Sequence, residues 1–290
     1  MKATAAYASE SSAQTALNTQ LRPSDLEAYA HEMPVATAVL PRLQSLLLSP
    51  ETSITDIVDL VMLDPGLAAR VMQAAGSPHY GRAEPVRSLS EALHRLGAEE
   101  VYRVVAAFAM SKFLNRPLRA YGLNPAEYWR RSLTCALVMV DLAPASGLDA
   151  RVAYTVGLLH ALGMIFIDRH LRCVGAPGLS FGRLPMSAVP RQELMLTGMN
   201  HARAAAFVLR AWNFSEEIVE PIEHQLSPAG AHTHRAMAAL LAEARDVATD
   251  LAASLPAPGT IALEPLRGLL NDDWQISIAE QILMIEGSSH

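Results

Sequence analysis

The segment Gly157-Leu158-Leu159-His160-Ala161-Leu162-Gly163 lies inside the longest apolar run of the chain, and this run decides the fold class. The run extends from Val152 to Ile167 and is bounded by Arg151 and Asp168. It is too short to cross a bilayer, which takes about 20 apolar residues. Buried helices of globular proteins have this composition and length. The run therefore predicts a buried core helix that contains His160.

Composition limits the classes of protein to which the chain can belong. Of its 290 residues, 51% are hydrophobic and 18% are charged, which is typical of a globular protein. A net charge of −6 disfavours non-specific binding to nucleic acid or to anionic membranes. The two cysteines, Cys135 and Cys173, form no C-x-x-C pair and are expected to be free thiols in a reducing compartment. Because the N-terminus lacks the apolar segment of a signal peptide, we expect a cytoplasmic protein. We also expect no cofactor.

Helix signals occur along most of the chain and define its organisation. Residues 1–22 are rich in small side chains and are predicted to be a disordered tail. Residues 23–255 are predicted to form one helical domain. Pro256-Ala257-Pro258-Gly259 is a short linker, and residues 256–290 form a linker with a C-terminal helical extension that includes Trp274–Ile285. No alternation of strands with helices occurs, so the predicted class is all-α.

Capping pairs mark the starts of several helices. In such a pair a Ser, Asn or Asp side chain accepts a hydrogen bond from a backbone N–H of the first turn, and an acidic side chain three residues later accepts one from the backbone N–H of the capping residue. Gly97 is predicted to end a helix. The capping pairs are Ser24 with Glu27, Ser53 with Asp56, Ser88 with Glu91, and Asn124 with Glu127.

The segment from Cys173 to Pro190 is rich in glycine and proline and has no helical period. It predicts a loop of about fifteen residues, which is long enough to have a function. Two interpretations remain open: a mobile regulatory surface, or a connector without a role. Shortening the loop while the protein stays folded would distinguish them.

The order of several short motifs resembles that of the HDOD family, whose name stands for HD-related output domain. The resemblance covers roughly residues 23–250. The matching pieces are Met33-Pro34 through Leu40-Pro41, Ser53–Leu63, Asp64-Pro65-Gly66-Leu67-Ala68-Ala69-Arg70, Ser77-Pro78-His79-Tyr80-Gly81, Val86–Ala92 with Leu96-Gly97, Trp129-Arg130-Arg131-Ser132, Gly157-Leu158-Leu159-His160, Asn200-His201-Ala202 with Trp212, and Ile222-Glu223-His224-Gln225.

This resemblance implies an HD-like multi-helix bundle, a degenerate relative of the metal-dependent HD phosphohydrolases that is generally regarded as non-hydrolytic. The chain departs from the family pattern at several positions. Ala161 replaces the aspartate of the His-Asp doublet, Arg131 occupies a histidine position, Gln225 replaces one of paired histidines, and Gly76 replaces an asparagine. Glu243 lies near an expected terminal aspartate. The vestigial site, or ligand pocket, would comprise Arg131, His160, Ala161, His201, His224 and Glu243.

The chemistry of these residues allows two interpretations. If a metal is bound at all, His160, His201 and His224 would be its ligands, with Glu243 as the fourth. Otherwise each imidazole is buried and hydrogen-bonded. An alanine methyl cannot bind a cation, so Ala161 removes a carboxylate that a two-metal hydrolytic site needs.

The sequence allows two interpretations of the neighbouring residues Arg130 and Arg131. Arg130 and Arg131 could bind an anion such as a nucleotide phosphate together with the histidines, because guanidinium groups bind phosphate in a bidentate manner. The alternative is that they pair with acidic residues on neighbouring helices.

The predicted function is a non-catalytic regulatory domain that acts by contact with other signalling proteins, without nucleic acid or membrane as a partner. One alternative is a residual metal-dependent phosphohydrolase that acts on a nucleotide or a cyclic dinucleotide. Another is a sensor that binds a small ligand in the former active-site cavity. The sequence does not predict which protein is the partner or how many copies assemble.

Overall fold

The regular elements of the chain are helices, as predicted. A computed structural model describes residues 19–32, 42, 45, 53–62, 65–76, 86–114, 116–176, 180–254 and 282. Within this part of the chain there is no strand, and one isolated bridge joins Leu118 to Leu123. The helices are α1 (Pro23–His31), α2 (Ile54–Met62), α3 (Pro65–Ala75), α4 (Leu89–Leu114), α5 (Pro125–Leu142), α6 (Ala150–Leu159), α7 (Gly163–Cys173), α8 (Val189–Thr197), α9 (His201–Ala211), α10 (Glu216–Glu223) and α11 (Arg235–Ser254).

The chain divides into two compact units, where sequence reasoning expected one domain over residues 23–255. The first unit comprises Met1–Met33, Arg116–Tyr128 and Leu159–Ala239. The second unit comprises Pro34–Asn115, Trp129–Leu158 and Leu240–His290. Because three chain segments build each unit, neither corresponds to a continuous stretch of sequence.

The first unit is built around α9, against which α1, α7 and α10 pack. Several side chains of α9 that face the core are small, among them the fully buried Ala204 and Ala205. Gly163 at the start of α7 lies so close that a Cβ there would be 1.9 Å from the backbone oxygen of His201. The absence of a side chain at Gly163 therefore allows the backbones of α7 and α9 to touch.

In the second unit, α2, α3 and α4 pack on one another. The backbone of α4 is not helical at Gly97, where φ is 76° and ψ is 163°. The predicted helix break at this glycine is therefore confirmed, since the left-handed region of φ favours glycine. In the same unit the phenol of Tyr102 on α4 and the hydroxyl of Thr155 on α6 are 2.5 Å apart in a buried hydrogen bond.

The apolar run Val152–Ile167 is two helices, so the prediction of one continuous helix is wrong. Helix α6 ends at Leu159, α7 begins at Gly163, and His160 lies in the turn between them. Tight backbone bonds close this turn, including Leu162 N–H to the oxygen of Leu159. By length and composition the stretch Ala150–Cys173 could cross a membrane, but 83% of its most apolar window is buried within the protein. Such burial is typical of a core segment of a helical domain.

The structure bears on the expectation for the N-terminus, whereas the expectation for the C-terminus lies mostly outside the described residues. The predicted disordered tail was too long, because Leu21 is buried and its N–H donates to the backbone oxygen of Thr197 at 2.9 Å. Residues 1–18 lie outside the described residues. The predicted C-terminal extension also lies outside them, apart from Ile282, which is helical and buried.

The loop between α7 and α8 is present where it was predicted. It is held to the first unit near its middle, because Phe181 is buried and its ring centroid lies 4.9 Å from that of Tyr121. The N–H of Phe181 donates to the backbone oxygen of Ala120 at 2.5 Å. Residues 177–179 of the loop lie outside the described residues. Mobility of the remaining loop residues stays a prediction.

Candidate functional site

The turn that carries His160 and Ala161 is held by two side chains of the first unit. The phenol of Tyr128 donates to the backbone oxygen of Ala161 at 2.8 Å, and burial raises the pKa of this phenol, so it remains a neutral donor. The amide of Gln225 donates to the backbone oxygen of His160 at 2.9 Å. Both His160 and Ala161 are largely buried. The doublet position is therefore occupied by a hydrogen-bonded turn, and the side chain of residue 161 contributes only a methyl group.

His201, at the first position of α9, is bound to a buried carboxylate. Its Nδ1 lies 2.8 Å from one carboxylate oxygen of Glu193 on α8, and its backbone N–H donates to the same oxygen at 2.9 Å. The phenol of Tyr121 donates to the other oxygen at 2.6 Å. Burial and the neighbouring Glu193 carboxylate raise the pKa of this phenol well above its usual value, so Tyr121 remains protonated.

This arrangement determines what His201 can do. A carboxylate beside Nδ1 favours the tautomer in which Nδ1 carries the proton, and Nε2 then has the free lone pair. Carboxylates orient histidines in this way at metal sites and in general bases. The Glu193 carboxylate itself already accepts bonds from His201 and Tyr121, so its hydrogen-bonding capacity is largely used within the core.

The third predicted histidine, His224, follows the last residue of α10 and is half-buried. Its ring packs against Gly230, where a Cβ would lie 2.8 Å from Nδ1. Nearby on α10, the carboxylate of Glu220 accepts backbone N–H bonds from His232, Thr233 and His234, the three residues before α11. Helix α10 is therefore held to the segment before α11 by hydrogen bonds from backbone N–H groups to the Glu220 carboxylate.

The two other predicted site residues belong to the second unit. Glu243 on α11 is exposed. Arg131 on α5 is half-buried, and its Nη1 is a buried atom with no hydrogen-bond partner among the described residues. In the same stretch of α5, the Nε1 of Trp129 and the hydroxyls of Ser132 and Thr134 are also buried without such a partner.

The predicted site residues are divided between the two units. His160, Ala161, His201 and His224 share the first unit, but among the described residues there is no group of three His, Cys, Asp or Glu side chains that could hold a metal ion. His160, His201 and His224 therefore do not form the ligand set suggested for a bound metal. Sequence reasoning missed Glu193. A signal for it exists, because Glu193 is the sole acidic residue between Asp168 and Glu216.

Comparison with known proteins identifies the family. The family model described as HDOD domain matches residues 33–228. The chain belongs to the HDOD family. The resemblance drawn from the sequence motifs is therefore confirmed, together with the helical fold that it implied.

Solved structures share this HDOD fold. An HDOD domain protein of unknown function from Geobacter sulfurreducens is 21% identical with a TM-score of 0.62, and the match covers 92% of each chain. A candidate phosphohydrolase from Shewanella amazonensis is 24% identical with a TM-score of 0.59, covering 91% of this chain and 88% of that one. A candidate signal transduction protein from Marinobacter aquaeolei is 23% identical with a TM-score of 0.61, covering 89% of this chain and 58% of that one. At these identities the likeness concerns the fold.

A relative from Treponema pallidum has no assigned function. It is 23% identical over 199 residues, which are 66% of this chain and 37% of the relative. The chain thus spans little more than a third of that protein's length.

Proposed function

We propose that this HDOD chain is a non-catalytic signalling domain that acts by binding other proteins. The observation that carries the proposal is Ala161. Where a hydrolytic relative needs a carboxylate on its doublet, this chain has a methyl group on a buried turn whose backbone oxygens accept bonds from Tyr128 and Gln225. Because a methyl group binds no cation, this position cannot serve as a metal ligand.

The surroundings of the other site residues support the same proposal. The Glu193 carboxylate is bound by His201 and Tyr121, which gives this buried acid a structural role. Glu243, the acidic residue expected to complete a ligand set, is exposed. The Marinobacter neighbour carries the description of a signal transduction protein, which agrees with a regulatory role.

The experiment measures metal content and hydrolysis on the full chain purified without chelators. We expect less than one transition metal ion per chain and no turnover of bis-p-nitrophenyl phosphate or cyclic di-GMP in the presence of Mn²⁺, Mg²⁺ or Fe²⁺. An HD phosphohydrolase with an intact doublet serves as the positive control. Chelator-sensitive turnover by the wild-type chain that His160→Ala abolishes would establish the phosphohydrolase alternative instead, the activity that the Shewanella neighbour's description names.

Partner binding needs its own measurement. Affinity capture with the full chain from the cells that encode it, followed by mass spectrometry, is expected to recover the same protein in independent preparations. That protein should then bind the purified chain directly. Failure to recover any partner that binds directly would contradict the proposed mode of action.

A specific observation also favours a second candidate function, a sensor for a small anionic ligand. Four polar atoms within one stretch of α5 are buried without a partner among the described residues, and each can donate a hydrogen bond. They fall into two pairs at helical i, i+3 spacing, Trp129 with Ser132 and Arg131 with Thr134. Buried polar groups are normally paired with protein, water or a ligand, and the charged Nη1 of Arg131 beside Thr134 favours an anionic acceptor such as a phosphate or carboxylate.

Native mass spectrometry and thermal shift with nucleotides and cyclic dinucleotides would test the sensor. We expect a bound anion to raise the melting temperature of the wild-type chain and to have no such effect on Arg131→Met. Equal shifts in both proteins would remove Arg131 from the binding site.

A further inference from the structure

Helix α8 in the first unit buries two polar side chains beside Val189 and exposes two apolar ones. The residues that face the core include the carboxylate of Glu193 and the hydroxyl of Thr197, both fully buried. The opposite side carries Arg191, Leu194 and Met195, which are exposed and lie at i, i+3 and i+4 spacing. Leu194 is 45% exposed and Met195 is 66% exposed. Helices of soluble domains normally show the reverse pattern, with the apolar side facing the core.

Most of the exposed large apolar side chains in the described part of the chain fall in or just before α8 in sequence. The large hydrophobic residues that are exposed there are Met62, Leu184, Leu194 and Met195, and three of them fall between positions 184 and 195. Scattered single residues of this kind need no explanation, but exposed apolar neighbours such as Leu194 and Met195, which share one side of α8, are typical of an interaction surface.

A common contact connects Leu184 with α8. Tyr121 packs against Phe181 in the preceding loop, and its phenol binds Glu193 on the buried side of α8. The N–H of Leu184 donates to the backbone oxygen of Phe181 at 2.8 Å. Tyr121 therefore holds both the loop at Phe181 and the buried side of α8, and Leu184 follows Phe181 by three residues.

The stretch of sequence that contains α8 is rich in arginine. Between Arg169 and Ser215 the sequence has six arginines, no lysine and one acidic residue, the buried Glu193. Three of these arginines pair with acidic side chains: Arg169 with Glu32, Arg172 with Asp168, and Arg210 with Glu216 and Glu223. The three others, Arg183, Arg191 and Arg203, are exposed and form no ion pair with a described residue.

We propose that the face formed by Arg183, Leu184, Arg191, Leu194 and Met195 is a docking surface for an acidic amphipathic helix of a partner protein. The proposal rests on the protein-binding function proposed above and names the chemistry of the partner. Leu194 and Met195 would contact the apolar stripe of that helix, while Arg183 and Arg191 would pair with its carboxylates. Nucleic acid is the less suitable occupant, because its phosphates make no use of exposed Leu and Met side chains and the chain as a whole carries a net charge of −6.

Photo-cross-linking within the cells that encode the chain tests the docking surface. A photoreactive amino acid replaces Leu194 in one variant of the full chain and Met62 in a control variant, since Met62 is 63% exposed and lies in the second unit. The cross-linked segments are then identified by mass spectrometry. We expect an adduct at position 194 that is absent at position 62, with a segment that is acidic and has apolar residues at helical spacing.

The segment found in this way is synthesised and its affinity for the purified chain is measured. We expect the double variant Arg183→Glu/Arg191→Glu to weaken binding by about tenfold or more, and a peptide with its acidic residues changed to Lys to recover affinity for that variant. Leu194→Ser/Met195→Ser should weaken binding by a similar factor of about ten, whereas Met62→Ser should leave it unchanged.

Several results would overturn the proposal. These are the absence of an adduct specific to position 194, an adduct with nucleic acid, lipid or a second copy of this chain, and an adduct with a segment that is not acidic. If affinity capture recovers a direct partner but position 194 forms no adduct with it, the docking surface is wrong while the protein-binding function stands. If capture recovers no direct partner either, both fail.

Discussion

The carboxylate of Glu220 should make the stability of the first unit depend on pH in the acid range. Burial raises the pKa of this group, but the backbone N–H groups of His232, His234 and Thr233 lower it more strongly, and the net pKa is about 2. The ordinary value is 4.5. A carboxyl group whose pKa is lower in the folded state stabilises that state at every pH above its unfolded pKa.

The magnitude follows from this difference in pKa. At about 1.4 kcal/mol per pKa unit, the ionised Glu220 contributes roughly 3 kcal/mol to the free energy of unfolding at neutral pH. The contribution is complete above pH 4.5 and is lost as the pH falls from 4.5 towards 2, with about 2 kcal/mol of it gone at pH 3. Three backbone hydrogen bonds to a charged group, at about 1.5–3 kcal/mol each before the cost of burial, account for a value of this size.

The assay compares urea unfolding of the wild-type chain and Glu220→Gln, followed by circular dichroism at pH 7, 5, 4 and 3. We expect Glu220→Gln to be about 3 kcal/mol less stable at pH 7 and about 1 kcal/mol less stable at pH 3. The matched control is Glu217→Gln on the same helix. Glu217 forms no hydrogen bond or ion pair with a described residue, so its substitution should change stability by less than about 0.5 kcal/mol.

A difference between wild type and Glu220→Gln that stays constant from pH 7 to pH 3 would refute the reasoning. It would mean that the stability lost in this variant comes from altered packing and not from the charge of the carboxylate. An equal loss in Glu217→Gln would show that the effect belongs to the overall charge of α10.

Three further experiments test other contacts. Gly163→Ala should destabilise the chain by about 3 kcal/mol or more, because the added Cβ would meet the backbone of α9. The control Gly76→Ala adds a Cβ whose nearest contacts lie beyond 3.5 Å, so this variant should unfold at the same urea concentration as the wild type. Glu193→Ala should lower the free energy of unfolding by roughly 3–4 kcal/mol, since it leaves buried donors without an acceptor, and a loss below about 1 kcal/mol would contradict its structural role. In titration with a thiol reagent at pH 8, the exposed Cys173 should react rapidly. Cys135 should react only after unfolding, because burial raises the pKa of its thiol to about 12. Two equally fast thiols would disprove the burial of Cys135.

Local patterns in the sequence predicted local structure well. The pairs Ser53 with Asp56, Ser88 with Glu91, and Asn124 with Glu127 form hydrogen bonds at the starts of α2, α4 and α5. These caps involve residues only a few positions apart, so the sequence contains all the partners that they need. The pair Ser24 with Glu27 was wrong, because α1 begins at Pro23 and the backbone of Arg22 binds Asp25 instead.

The family and the class of fold could also be predicted from the sequence. The order of short motifs identified the HDOD family, and the helical signals identified the all-α class. Ala161 was visible in the sequence as the loss of a carboxylate, because a side chain's inability to bind a cation does not depend on its surroundings.

Only the tertiary structure decided where the apolar run breaks and which side chains hold the break. The turn at His160 depends on Tyr128, Gln225 and the backbone contact at Gly163, which lie far from one another in sequence. The same holds for Glu193, which sequence reasoning passed over and which the fold buries beside His201. Whether an apolar or an acidic residue of an amphipathic helix faces the core is determined by the partners that the rest of the chain supplies, and those partners are long-range contacts that a local pattern does not contain.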